Sequence, residues 1–184
     1  MGRERLLASD ASDRAAGGVD CDSGGFFIRS FDEELRTVYI FIKELVAVLW
    51  VLEFATRHPS EGRNICVLID NQAAMYALRR MYSSNEAATG VIKRIHRLIQ
   101  DRGLSVAFEP ISLARNPADR PSRGAKPERA IVRNAFLVHL RVDKWSCGRV
   151  AGQDARSGLT ESEESERADR VKGGNWFGLL RDGE

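Results

Sequence analysis

Apolar positions along this chain follow two rhythms, one helical and one of short extended runs. Tyr39 to His58 contains no glycine or proline, and Ile42, Leu45, Val46, Leu49, Leu52 and Phe54 fall on one broad helical face. His58-Pro59 ends it, because the residue before a proline avoids helical geometry. Ile65-Cys66-Val67-Leu68-Ile69 is a continuous apolar run, the pattern of a strand covered on both faces, and it stops abruptly at Asp70-Asn71. Gln72 to Met81 predicts a second helix. Asn85 to Asp101 predicts a third, with Val91, Ile92, Ile95, Leu98 and Ile99 at helical spacing and Gly103 as the stop signal. Ser105 to Ile111 reads as a further short strand.

Ahead of these, Arg5 to Ser9 is a short, partly apolar segment that ends at Asp10-Ala11-Ser12. Asp13 to Gly18 reads as a turn. Val19 and Phe26-Phe27-Ile28, joined through Ser23-Gly24-Gly25, read as antiparallel hairpins. Near the other end, Arg115-Asn116-Pro117-Ala118-Asp119 looks like the start of a short helix, with Asn116 as its cap and Pro117 as its first residue. The order of elements predicts an α/β fold with a mixed sheet flanked by helices, in a domain spanning residues 5–123. The extension 124–184 holds one more apolar element, Ile131 to Val142. It is expected to be largely disordered from about 152, because 152–174 is rich in Ser, Glu, Arg and Gly.

Composition narrows the class. At 184 residues with 43% hydrophobic and 29% charged positions, the chain can build a core without disulfides. A net charge of +2 does not by itself announce nucleic acid, so any such claim must rest on local features. Cys21, Cys66 and Cys147 are widely spaced, with no zinc or disulfide pattern. They suit a reducing compartment. No secretory signal is visible at Met1 to Arg5, and the expected location is intracellular, cytoplasmic or nuclear. Val38 to Ala55 is very apolar, but Lys43, Glu44 and Glu53 interrupt it, so it reads as a buried helix and not a membrane span.

The candidate chemistry is acidic. Asp10 closes the first strand, Glu44 lies early in the apolar helix, Asp70 ends the buried strand, and Asp119 lies in the last short helix. Each has an ordinary structural explanation: Glu44 and Asp119 suit the positive end of a helix dipole, and Asp70 could cap the next helix. Together they form a set of hard oxygen donors suited to Mg²⁺ or Mn²⁺. Two such ions roughly 4 Å apart can activate a water and stabilise a phosphodiester leaving oxygen. There is no His and Cys cluster of the kind zinc prefers.

At this point the chain resembles a known family. Leu7-Ala8-Ser9-Asp10-Ala11-Ser12 with Gly17-Gly18-Val19, Lys43-Glu44-Leu45-Val46-Ala47, Ile69-Asp70-Asn71-Gln72-Ala73-Ala74 and Asn116-Pro117-Ala118-Asp119-Arg120-Pro121-Ser122-Arg123 resemble, in order, four motifs of the ribonuclease H domain of reverse-transcribing retroelements, of the long-terminal-repeat or tyrosine-recombinase type. The resemblance covers about residues 5–123. It implies a five-stranded mixed sheet and two bound Mg²⁺ or Mn²⁺ ions on Asp10, Glu44, Asp70 and Asp119. It also implies cleavage of the RNA strand of an RNA–DNA hybrid, and a reverse transcriptase module in a parent polyprotein. Two features depart from the family. Glu109-Pro110-Ile111-Ser112 stands where many members carry a histidine, and no basic, aromatic-rich protrusion lies between the second and third helices.

Three functions remain in play: a metal-dependent endoribonuclease, a catalytically inactive module of the same fold, and a nuclease of that fold acting on DNA, such as an integrase or resolvase. Retention of all four acids favours the first. Asn71, Arg79, Arg80, Lys93, Arg94, Arg97 and Arg102 are candidates for gripping a phosphate backbone, although a solvated helix face explains them equally well.

Overall fold

The computed structural model describes residues 4–57, 63–141 and 149–151. Its frame is a mixed sheet. Strand β1 (Arg5–Ala11) runs antiparallel to β2 (Ala15–Asp20), which runs antiparallel to β3 (Phe26–Ser30). On its other side β1 pairs in parallel with β4 (Asn64–Ile69), and β4 in parallel with β5 (Ser105–Pro110). The five strands expected from the sequence are present, and a short β6 (Arg149–Ala151) adds antiparallel to β5, giving the order β3-β2-β1-β4-β5-β6.

The helices are α1 (Glu33–Thr37), α2 (Ile40–Arg57), α3 (Gln72–Arg80), α4 (Glu86–Asp101), α5 (Asp119–Ser122) and α6 (Arg129–Arg141). Alternation along β1 sends Leu7 into the larger core and Leu6 and Ala8 into a smaller one. The larger core packs α2, α3 and α4 on the sheet through residues such as Leu45, Leu49, Leu52, Leu78, Ile92 and Ile95. The smaller core joins Val19, Cys66, Leu68 and Ala107 to Ala118 and Ala135, with Val132 of α6 packed against it. No helix among the described residues is long and apolar enough to cross a membrane.

Helix α2 is buried on nearly all sides, and this includes its two charged residues near the start, Lys43 and Glu44. Lys43 is satisfied there. Its Nζ donates to the carbonyl oxygens of Arg36 (2.9 Å) and Asp13 (3.3 Å), tying the first hairpin and the end of α1 to α2.

Three local expectations need correction. Asp13 to Gly18 is not a turn throughout: the turn closes at Ser12, whose Oγ accepts from the amides of Arg14 and Ala15, and β2 already runs through Gly17-Gly18. The glycines are there for close approach. A Cβ at Gly17 would lie 2.7 Å from Pro121 Cβ, and one at Gly18 would lie 2.8 Å from Val51 Cγ2. Helix α1 was not anticipated, although Asp32 caps it by accepting from the Leu35 amide at 2.8 Å. Finally, α5 begins at Asp119 and not at Pro117. Asn116 ends a 3-10 turn (Leu113–Arg115) and accepts from the Ala118 amide, which leaves its side-chain NH₂ free for the site.

The described residues all fall in one unit, Met1–Gly152. The remaining unit, Gln153–Glu184, lies outside them, as do Trp145, Cys147 and Trp176 and all of the 152–174 stretch expected to lack order.

Candidate metal centre

Asp10, Glu44 and Asp70 come from three different elements and meet at one place. One carboxylate oxygen from each lies within 4.8 Å of the others. Asp10 is the penultimate residue of β1, Glu44 lies in the early turns of α2, and Asp70 follows the last residue of β4. Parallel pairing of Ser9 with Ile69 brings the ends of β1 and β4 side by side, so the residues just beyond them are neighbours. This is the edge at which open α/β sheets form their sites.

The surroundings of the three differ. Asp10 and Glu44 are buried, and Asp70 is half-buried. Burial pushes the Glu44 carboxyl up to about 9. The charges of Asp10 and then Asp70 push the same way, and a hydrogen bond from the Ala11 backbone pulls it down. Its Oε2 is buried and has no hydrogen-bond partner among the described residues. Asp10 is pushed up to about 7, again chiefly by burial. A hydrogen bond with the Ser122 side chain opposes the rise, and Asp70 and Asp119 add to it. Without a cation, burial therefore favours the protonated forms of Glu44 and Asp10.

Asparagine and serine residues align this cluster. Asn116 Nδ2 donates to Asp70 Oδ2 (3.1 Å) and to the Ser9 carbonyl (3.0 Å), linking Asp70 to β1. The Ser122 hydroxyl contacts Asp10 Oδ2 and lies 2.8 Å from the Asp119 carbonyl oxygen, while Ser12 Oγ donates to the Ser122 carbonyl at 2.7 Å. The chain approach at Gly17 lets α5 sit this close to β2. Ser122 and Asn116 carry no charge, so candidate chemistry sought among acids passed over them. Both stand in the Asn116 to Arg123 motif.

Asp119 stands apart from the group of three. Its Oδ1 accepts from Arg123 Nε at 3.0 Å, and a terminal guanidinium nitrogen of Arg123 lies at the same distance. Its charge still bears on Asp10. Among the basic candidates, Arg79 is held internally, donating to the Phe108 carbonyl (2.8 Å) and to Glu109 (3.2 Å). Arg80, Lys93, Arg97 and Arg102 are exposed and Arg94 is half-buried. Asn71 caps α3, accepting from the Ala74 amide at 3.0 Å.

A hard divalent cation suits this donor set. It consists of carboxylates, with no sulfur or imidazole in the group, and it holds a buried oxygen that no donor among the described residues reaches.

No protein-family model matches the chain, and no curated protein matches it by sequence. Solved structures do match. Ribonuclease H1 from the halophilic archaeon Halobacterium salinarum NRC-1 superposes with a TM-score of 0.56 at 18% identity, covering 67% of this chain and 97% of that one. This chain has the ribonuclease H fold. The N-terminal ribonuclease H domain of a Mycobacterium tuberculosis protein, solved as a fusion with maltose-binding protein, gives 0.54 at 14% identity over 72% of this chain and 98% of that one. LC11 ribonuclease H1, in complex with an RNA/DNA hybrid, gives 0.52 at 16% identity over 66% and 96%. At these identities the likeness concerns the fold. What this ribonuclease H-like chain does must be argued from its own side chains.

Proposed function

We propose that the chain is a metal-dependent endoribonuclease that cleaves the RNA strand of RNA–DNA hybrids. The observation that carries this reading is the convergence of Asp10, Glu44 and Asp70 oxygens within 4.8 Å of one another, on the fold of ribonuclease H. A structural role does not account for burying two carboxyls beside a third, since buried charge destabilises unless it is paired.

Asp10, Glu44 and Asp70 would hold the ions, with Asp119 as a fourth ligand. Two Mg²⁺ or Mn²⁺ ions, when bound, supply the charge that activates a water and stabilises the leaving oxygen. The chain's own contribution is preorganisation. Asn116 holds the Asp70 carboxylate, and Ser122 holds that of Asp10. Exposed Arg80, Lys93 and Arg97, with Arg94 and Asn71, are proposed to meet the phosphate backbone. Arg79 is already engaged by Glu109, so its part is to steady α3 against β5. The hybrid as substrate is supported by the LC11 neighbour, solved with one. A retroelement origin is supported by the closing motif from Asn116 to Arg123.

The test is cleavage of an end-labelled RNA–DNA hybrid with Mg²⁺ or Mn²⁺, against chelated controls and against duplex DNA. Metal-dependent cutting of the RNA strand alone is expected. Tight hybrid binding with no cutting would instead identify an inactive module, and cutting of DNA would identify a nuclease of the integrase or resolvase kind.

A further inference from the structure

We propose that Arg123 competes with a divalent cation for Asp119, holding the fourth carboxylate out of the cluster until that cation arrives. This rests on the reading of Asp10, Glu44 and Asp70 as metal ligands, and it adds a control element to that site.

The geometry is specific. Two nitrogens of one guanidinium converge on a single oxygen, Asp119 Oδ1, each at 3.0 Å. Asp119 is the one acid of the four that does not join the group of three. The two partners are unequally placed: the Arg123 side chain is 65% exposed and that of Asp119 is 27% exposed. Arg123 can therefore leave for water, whereas Asp119 is partly enclosed.

The backbone beneath them is pinned. The Ser122 hydroxyl reaches Asp10, Ser12 holds the Ser122 carbonyl, and α5 rests on the bare Cα of Gly17. Changing the partner of Asp119 thus requires side-chain rotation and no movement of the helix. An exposed ion pair is weak and screened by water. A doubly charged ion that also gains the neighbouring carboxylates can displace it, at a modest loss of affinity. Arg123 would then keep the acidic site partly neutralised while it is empty and yield when it fills. Arg123 directly follows Ser122, whose hydroxyl reaches Asp10, so its backbone stands beside the cluster and not on a remote surface.

The experiment uses the full chain and Mn²⁺ alone, with free Mn²⁺ followed by electron paramagnetic resonance and heats by calorimetry. The parent is expected to take up ions in a stronger and a weaker step. Arg123→Gln should tighten the weaker step roughly two- to fivefold, the scale of an exposed ion pair. Asp119→Asn should weaken that step, and adding Arg123→Gln to Asp119→Asn should give no further gain. Arg120→Gln removes a charge from α5, next to Arg123, but one that faces Glu128 at 3.7 Å, and it should leave both steps unchanged.

A second reading needs no variant. The Arg123 Nε–H resonance of the parent should move toward the position of free arginine as Mg²⁺ is added. The proposal is overturned if Arg123→Gln leaves the weaker step unchanged or weakens it. It is equally overturned if the gain persists without the Asp119 carboxylate, or if the Arg123 resonance stays in place while Mg²⁺ binds. Failure of the parent to bind Mn²⁺ at all would overturn the metal-ligand reading itself, and this proposal with it.

Discussion

The site is built from two regions of different character. Asp10 and Glu44 stand on β1 and α2 and Asp70 directly follows β4, elements that carry the larger core; the three carboxyls converge, with Asp10 and Glu44 buried and Asp70 half-buried. Asp119 stands on α5, a helix of four residues that cannot hold itself in place by its own hydrogen bonds. It is placed instead by tertiary contacts: Ser122 to Asp10, Ser12 to Ser122, and the close packing of Pro121 against Gly17. The first region positions its acids through packing, and burial then raises the proton affinity of Asp10 and Glu44. The second leaves its acid at the rim, paired with an arginine. The candidate site thus joins an enclosed interior to a more exposed edge.

The sharpest way to break this comparison is to remove charge from the interior half. Asp70→Asn should lower hybrid cleavage by at least ~10²-fold. Its melting temperature should stay near that of the parent, because the new amide oxygen can still accept from Asn116 Nδ2. Glu44→Gln should lose activity to a similar degree. Paired melting and cleavage measurements check both, and near-parent activity in either folded variant would remove the interior acids from the mechanism.

Next in size is an attack on the edge from the sheet side. Gly17→Ala would press a methyl group against Pro121 and the Ser122 amide. The expected cost is about 1–3 kcal/mol of stability, with loss of cleavage as α5 lifts. Denaturant unfolding measures the first and the hybrid assay the second. An unchanged Gly17→Ala protein would mean that α5 does not depend on this contact.

A third test separates the halves by pH. Asp10 is raised from 3.8 to about 7 and Glu44 from 4.5 to about 9. Both folded values exceed the unfolded ones, so the native state binds more protons between them, and stability falls as pH rises through that range. Their contribution is full below about pH 4 and is lost progressively through pH 7 and 9. The melting temperature of metal-free protein should therefore decline from pH 5 to 9, and saturating Mg²⁺ should flatten the decline. Glu44→Gln should reduce its alkaline part. A metal-free profile that is flat or rises over this range would contradict the assignment.

The smallest effect is expected at the hinge between the two regions. Ser122→Ala removes the hydroxyl that joins Asp10 to α5. A loss of about 1 kcal/mol is expected, together with a several-fold drop in cleavage, and Ser122→Thr should restore part of the cleavage. Equal effects on stability in Ser122→Ala and Ser122→Thr, with unchanged cleavage in both, would reduce Ser122 to a packing residue.

How much could be read in advance follows the same division. Helices α2, α3 and α4 and strand β4 lie within a residue or two of the segments marked by periodicity and terminal signals, because long elements with one buried face write that face into the sequence. The acids at their ends could be singled out for the same reason. The hairpin β1–β2 was harder, since Gly17-Gly18 has the composition of a turn and only the proximity of Pro121, Phe27 and Val51 shows why strand residues there lack side chains. Helix α1, five residues long, was too short to show a period. The role of Asn116 was misassigned in part: it is a helix-capping residue by type, but its amide bridges β1 and Asp70.

The sequence by itself determined the α/β order, the core-facing stripes and the identity of the four acidic residues, because each of these depends on neighbours along the chain. The tertiary structure decided that three acids converge while Asp119 pairs with Arg123, that Ser122 and Asn116 align the carboxylates, and that β6 extends the sheet. These contacts join residues as far apart as Asp10 and Ser122, or Ser9 and Asn116. Short polar side chains obey no period, and their partners are set only when packing brings distant segments within hydrogen-bonding reach.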